Sequence, residues 1–201
     1  MTDSVQRPLP ADTAANALTG VFAPAHIVTA LLLVVGWFSH PSPGRGLAWG
    51  LLAALLVGVA PYAWILYSVS RGRFTSRHIP DRAQRLLPLA VAAGWAAAGV
   101  ALLGLLGAPR QLVALVIAML AGLAVTTIIT TRWKISLHAA VSAGAATILT
   151  IAFGPALLTT AFVVVGIGWS RVQRGDHTVA QVVVGALVGA AVAAGTFIPL
   201  R

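Results

Sequence analysis

Residues 111–131 read QLVALVIAMLAGLAVTTIITT, a run without a charged side chain. As a helix it is about 30 Å long, which matches the hydrocarbon core of a bilayer. Its apolar residues are continuous, whereas strands of an outer-membrane barrel alternate apolar with polar. Comparable runs lie on either side, at 21–38, 47–69, 86–107, 137–153, 155–170 and 178–199. The runs at 137–153 and 155–170 are short, and only Gly154-Pro155 separates them, which reads as a tight turn. The pattern predicts an all-α, polytopic transmembrane helix bundle over residues 20–201. Seven spans are favoured, and six result if the two short runs form one bent element. Residues 1–19 read as a polar N-terminal tail containing Asp3, Pro8, Pro10 and Asp12. The tail lacks the basic n-region and short apolar core of a signal peptide, so it is expected in the cytoplasm.

Composition agrees with this reading. Hydrophobic types make up 59% of the 201 residues and charged types 8%. A soluble domain carries about 25% charged residues, so this chain could not cover a water-facing surface. Gly185 and Gly189 form a small-residue pair at GxxxG spacing, which reads as helix packing within the bundle. No repeat of fixed period is visible, and no matched pair of broken spans points to a transporter.

Thirteen basic residues face four acidic ones, for a net charge of +9, and there is no cysteine. No Glu occurs, and the acids are Asp3, Asp12, Asp81 and Asp176. This scarcity argues against a carboxylate cage for Mg²⁺ or Ca²⁺, and neither a metal nor a cofactor is expected. Without Cys there is no disulfide, thiolate metal site or cysteine nucleophile, while the compartment stays undetermined. The only Lys is Lys134, and the other twelve bases are Arg, whose fork of donors matches phosphate. Arg71, Arg73, Arg77, Arg82 and Arg85 fall in one break between runs, Arg132 and Lys134 in a second, Arg171 and Arg174 in a third. With seven spans these breaks share a face, opposite Arg45, Arg110 and Arg201. The positive-inside rule then gives a multi-pass protein of the cell membrane with its N-terminus and basic face in the cytoplasm. Nucleic acid is not an expected partner, because the charge lies at membrane boundaries without a soluble basic domain. Membrane lipids are expected partners, and a homo-oligomer is left open.

His78, His138 and His177 lie on the basic face, each among Arg, Lys or Ser. Ionisable groups at helix ends inside an apolar bundle are functional candidates. Histidines with arginines and few carboxylates suit metal-free phosphoryl transfer. One imidazole attacks phosphorus, a second protonates the leaving oxygen, and guanidiniums neutralise the phosphoryl oxygens.

Three segments carry a family resemblance. Ser170-Arg171, five residues, then His177 resembles the third signature of the type 2 phosphatidic acid phosphatase superfamily, membrane lipid-phosphate phosphatases related to vanadium haloperoxidases. Ser136-Leu137-His138 resembles its second signature, Pro-Ser-Gly-His, with Ile135 and Leu137 in place of Pro and Gly. His78, six residues, then Arg85 resembles its first, Lys, six residues, Arg-Pro, with His78 in place of Lys and Leu86 in place of Pro. The resemblance covers roughly residues 70–195. It implies hydrolysis of a lipid or isoprenoid phosphate through a phosphohistidine. It makes His177 the nucleophile, His138 the general acid, and Arg171, Arg85 and Ser136 phosphate ligands. Lys134 lies outside the motif, but its charge and place suit a phosphate contact, and His78 is a further candidate.

The third signature ends in an Asp four residues after the nucleophile, and here that position is Gln181. A Gln carbonyl can accept a hydrogen bond from the ring but adds no negative charge. Replacing the carboxylate behind a catalytic His by an amide costs up to about 10⁴ in rate in a serine protease. Asp176 could substitute only if His177 lies in a loop or first turn, because consecutive helical residues do not face each other.

Plainer roles are open beside these. Thr178 and Gln181 fit a capping box. Asp176 fits a first-turn acid. Asp81 and Arg85 can pair. Arg71, Arg73 and Arg77 fit headgroup anchors, His26 a packed helix end and His40 a solvated one. Two further functions stand beside the phosphatase: a non-hydrolytic prenyl-diphosphate enzyme (transferase or cyclase), and a catalytically decayed lipid-phosphate-binding protein.

Overall fold

Backbone amides in lipid must find partners within their own segment, and the apolar runs accordingly fold as helices. A computed structural model describes residues 10–73 and 82–201, except for the side chains of Pro10 and residues 82–85. The helices are α1 (Pro10–Val21), α2 (Pro24–Phe38), α3 (Pro43–Ala53), α4 (Ala60–Ser70), α5 (Arg82–Leu105), α6 (Arg110–Arg132), α7 (Leu137–Phe153), α8 (Ala161–Gln173) and α9 (Val179–Leu200). A π-helical stretch, Ala54–Val59, joins α3 to α4, and a 3₁₀ turn, Pro155–Thr160, leads into α8. The π stretch directly precedes Pro61, which has no N–H for the helical ladder and crowds the preceding turn. No strand occurs among the described residues.

Five helices are long and apolar enough to cross a membrane: Pro43–Ser70, Leu86–Leu105, Arg110–Arg132, Pro155–Gln173 and Val179–Leu200. A sixth results if α1 and α2, bent by 47° at their junction, count as one span. The seven runs of the sequence therefore reduce to five or six by this measure. The run at 21–38 breaks because Pro24 starts a new helix of only 15 residues. The run at 137–153 gives a helix of 17. The turn expected at Gly154-Pro155 is present, with Gly154 at φ 107°, a conformation that a Cβ disfavours. The second half of the polar tail is helical, and α1 packs along α8 with Ala15 and Thr19 buried.

Exposure is inverted relative to a soluble protein. Phe162 is 81% exposed and Ile128 67%, while Arg171 is 5% exposed. Such a surface is consistent with a membrane protein, since lipid chains are as apolar as the side chains they cover. Thr126, Thr127, Thr130, Thr147 and Thr150 donate to carbonyls one turn back, which lets hydroxyls sit in apolar helices.

Small residues set the closest contacts. On α9, Gly185 faces the Ser136 carbonyl and Gly189 faces Ala140, while Gly144 of α7 faces Gly189 and Ala193. The GxxxG pair is thus the α7–α9 seam. Gly36 meets Gly46 and Gly50 in the same manner between α2 and α3. On the face opposite the basic breaks, Arg110 Nε donates to the Leu200 carbonyl and Arg201 to the Ile151 carbonyl. Both guanidiniums satisfy carbonyls left over at helix C-termini.

Candidate functional site

The end of α8 explains how Arg171 and His177 meet. Gly175 adopts φ 67°. Its N–H donates to the Val172 carbonyl at 2.9 Å, and the N–H of Asp176 reaches back to the Arg171 carbonyl at 3.1 Å. This is the hydrogen-bond pair of a Schellman motif closed by a left-handed glycine. The chain reverses, and the N–H of His177 also donates to the Arg171 carbonyl, at 3.2 Å. The spacing between the two residues is the length of this reversal, and both end up buried.

Asp176 does not sit behind the imidazole. Its carboxylate lies 3.0 Å from Arg171 Nη2 and 2.8 Å from Arg174 Nε. Burial alone would raise its pKa. The hydrogen bond from Arg174 and the charges of Arg171, Arg174 and His177 outweigh that and hold the carboxyl below its ordinary value. An ionised carboxylate therefore stays near His177 without being bonded to its ring.

The position behind the ring belongs to Gln181. Thr178 is the N-cap of α9, and with Gln181 it forms a complete capping box. Gln181 Oε1 accepts the Thr178 N–H at 3.2 Å and lies 3.1 Å from His177 Nδ1. A backbone N–H only donates, so this atom is the amide's carbonyl oxygen, and Nδ1 must be the donor to it. Neutral His177 is then the Nδ1–H tautomer, with its lone pair on Nε2. One oxygen serves both the capping role and the orienting role.

His138 is buried in the first turn of α7. The break before it is tied to α9 by a hydrogen bond from the Ser136 N–H to the Gln181 carbonyl, 3.2 Å. Ser136 Oγ accepts the Ala139 N–H at 3.4 Å as the N-cap of α7. His138, Arg171 and His177 line one cavity of about 350 Å³ whose walls are mostly apolar. His26 and Tyr62, in edge-to-face contact, stand on the same wall. Ser136 and the half-buried Lys134 do not line it. Arg85 lies in the first turn of α5 with its side chain outside the described residues, and His78 lies outside them altogether. Among the described residues no group of three or more His, Asp or Glu could hold a metal ion.

Sequence reasoning missed Thr19, a buried residue of α1. Ser170 Oγ donates to the Ile167 carbonyl at 2.7 Å, so its one proton is committed. Thr19 Oγ1, 3.2 Å away, must then donate to Ser170, and it accepts from Arg171 Nη1 at 3.5 Å. Arg171 is held by Thr19 on one side and Asp176 on the other. A second tie runs from Gln173 Nε2 to Asp12 Oδ1, 3.3 Å. The available signal was the pair Ala15 and Thr19, one turn apart and both buried.

Compared with protein families, curated proteins and solved structures, the chain matches none.

Proposed function

We propose that the chain is a multi-pass enzyme of the cell membrane that hydrolyses a lipid or isoprenoid phosphate or diphosphate without a metal ion. The observation that carries this reading is the convergence of His138, Arg171 and His177 on one apolar cavity. His177 Nε2 attacks phosphorus as the bond to the leaving oxygen breaks. His138 gives that oxygen a proton, and a phosphohistidine remains. Water then attacks the phosphorus, His138 takes its proton, and the N–P bond breaks to release phosphate and restore His177. Arg171 offsets the charge on the phosphoryl oxygens. The N-termini of α7 and α9, beside the two histidines, favour an anion. The finer topology belongs to the same proposal: seven spans, with the N-terminus and the site on the cytoplasmic side.

Purified protein in detergent should release phosphate from prenyl or phosphatidyl phosphates with chelator present. Folded protein that releases none from any of them would end the hydrolase reading. Gln181, neutral where a carboxylate would support the ring, favours a second reading, a transferase or cyclase acting on prenyl diphosphates. An alcohol among the extracted products marks the hydrolase, and a hydrocarbon or adduct marks the alternative.

Thr19→Val removes both polar ties at Thr19 and leaves a buried arginine donor short of a partner. KM for the phosphate substrate should rise by about 5- to 100-fold with a smaller change in kcat, and Thr19→Ser should restore it. Unchanged steady-state kinetics would mean that α1 has no hold on the site.

A further inference from the structure

The cavity behind the two histidines is long and narrow. On α7 its wall runs from His138 to Ile148, on α6 from Thr126 to Ala118 and on α5 from Pro88 to Ala96. At 1.5 Å per residue these walls are about 12–15 Å long, roughly half the hydrocarbon thickness of a bilayer. Leu31, Ala96, Ala118, Ile148 and Ala193 form its far end, and all are buried. One turn beyond, Val35, Leu115 and Phe197 are closed off completely. The passage is blind.

Two independent measures give its capacity. A volume of about 350 Å³ holds about a dozen heavy atoms at roughly 30 Å³ each. An extended chain advances about 1.2 Å per bond, so the length also admits about 10–12 carbons. The measures agree only if the passage is one chain wide. Two tails side by side would need about twice the volume at the same length.

Resting on the reading of His138, Arg171 and His177 as a phosphate site, we propose that the substrate is a single-tailed phosphate or diphosphate. Its prenyl or alkyl chain has about a dozen carbons, and two-tailed glycerolipid phosphates are excluded. The tail leaves lipid for an equally apolar cavity, so burial gives no net drive. Selection is steric: a longer tail meets Leu115 and Phe197, and a second tail meets the walls.

The test uses the full chain in detergent. Binding is measured with n-alkyl phosphonates of 8 to 18 carbons, whose C–P bond this mechanism does not cleave, and with dioleoyl phosphatidate at matched mole fraction. Phosphate release is measured separately from the matching alkyl phosphates. Binding should peak near 12 carbons and fall about tenfold or more by 18 carbons and for the phosphatidate, since overpacking a filled site is costly. Ala118→Phe should move the optimum to shorter chains, and Leu31→Ala, which lengthens the passage, to longer ones. A flat profile, phosphatidate bound as well as the 12-carbon compound, or an optimum unmoved in the folded floor variants would overturn the proposal. Length-dependent phosphonate binding without any phosphate release would support it while ending the hydrolase reading. Phosphate release without length dependence would do the reverse.

Discussion

His177→Ala should lower phosphate release by at least about 10⁴-fold, as expected when a nucleophile is removed from a unit that acts together. It should leave the helices intact, because the bonds that close α8 use the backbone at residues 175–177. His138→Ala should cost less, about 10²–10⁴-fold, the range for a general acid. Gln181 provides the sharper measurement. Gln181→Glu keeps an oxygen in place for both the Thr178 N–H and His177 Nδ1, and Glu fits the capping box equally well. What changes is charge behind the ring as Nε2 becomes bonded to phosphorus, so kcat should rise. Asp176 already places a carboxylate close enough to interact with His177. The gain in Gln181→Glu should therefore be larger with Asp176→Asn than without it. Equal gains in both backgrounds would show that Asp176 serves only Arg171 and Arg174. A kcat unmoved by Gln181→Glu in either background would remove charge support of the ring from the mechanism.

The helical bundle was legible because uninterrupted apolar runs permit little else in lipid. The number of spans was less so. A run such as 21–38 reads as one segment, but Pro24 fixes its own φ and lacks an N–H, and the helix restarts there. The link between Arg171 and His177 had a local cause that the sequence displays, Gly175 at the position of a left-handed cap. Gln181 invited two competing readings, orienting or capping, yet a carbonyl oxygen has two lone pairs and serves both. Ser136 shows the opposite outcome: its motif position suggested phosphate, while its hydroxyl caps α7. Thr19 was hidden because its role depends on α1 meeting α8 across most of the chain, a contact that no short motif records. The blind end of the cavity was equally hidden, since residues from five helices close it.

The largest expected effect on folding lies at the α7–α9 seam. A Cβ on Gly189 would fall 2.0 Å from the Ala140 carbonyl oxygen and 2.7 Å from its carbon. Both atoms are backbone, so no rotamer change relieves the overlap, and even Gly189→Ala must push the helices apart. Gly195 lies on the same helix with nothing within 4 Å of its Cβ position. There, Ala should be neutral or stabilising by up to about 1 kcal/mol through helix propensity alone. Thermal unfolding and gel filtration in detergent should separate the two. Gly195→Ala should match the parent, whereas Gly189→Ala should unfold at markedly lower temperature, and Gly189→Leu should yield little folded protein. Activity should follow the seam, because α7 carries His138 while α9 carries Gln181, which orients His177. A shift of about 1 Å between catalytic groups can cost 10²-fold, so any folded Gly189→Ala should be slow even well below its unfolding temperature. Equal midpoints and rates for Gly189→Ala and Gly195→Ala would mean that α7 and α9 do not make this approach, and the registration of the two histidines would then need another cause.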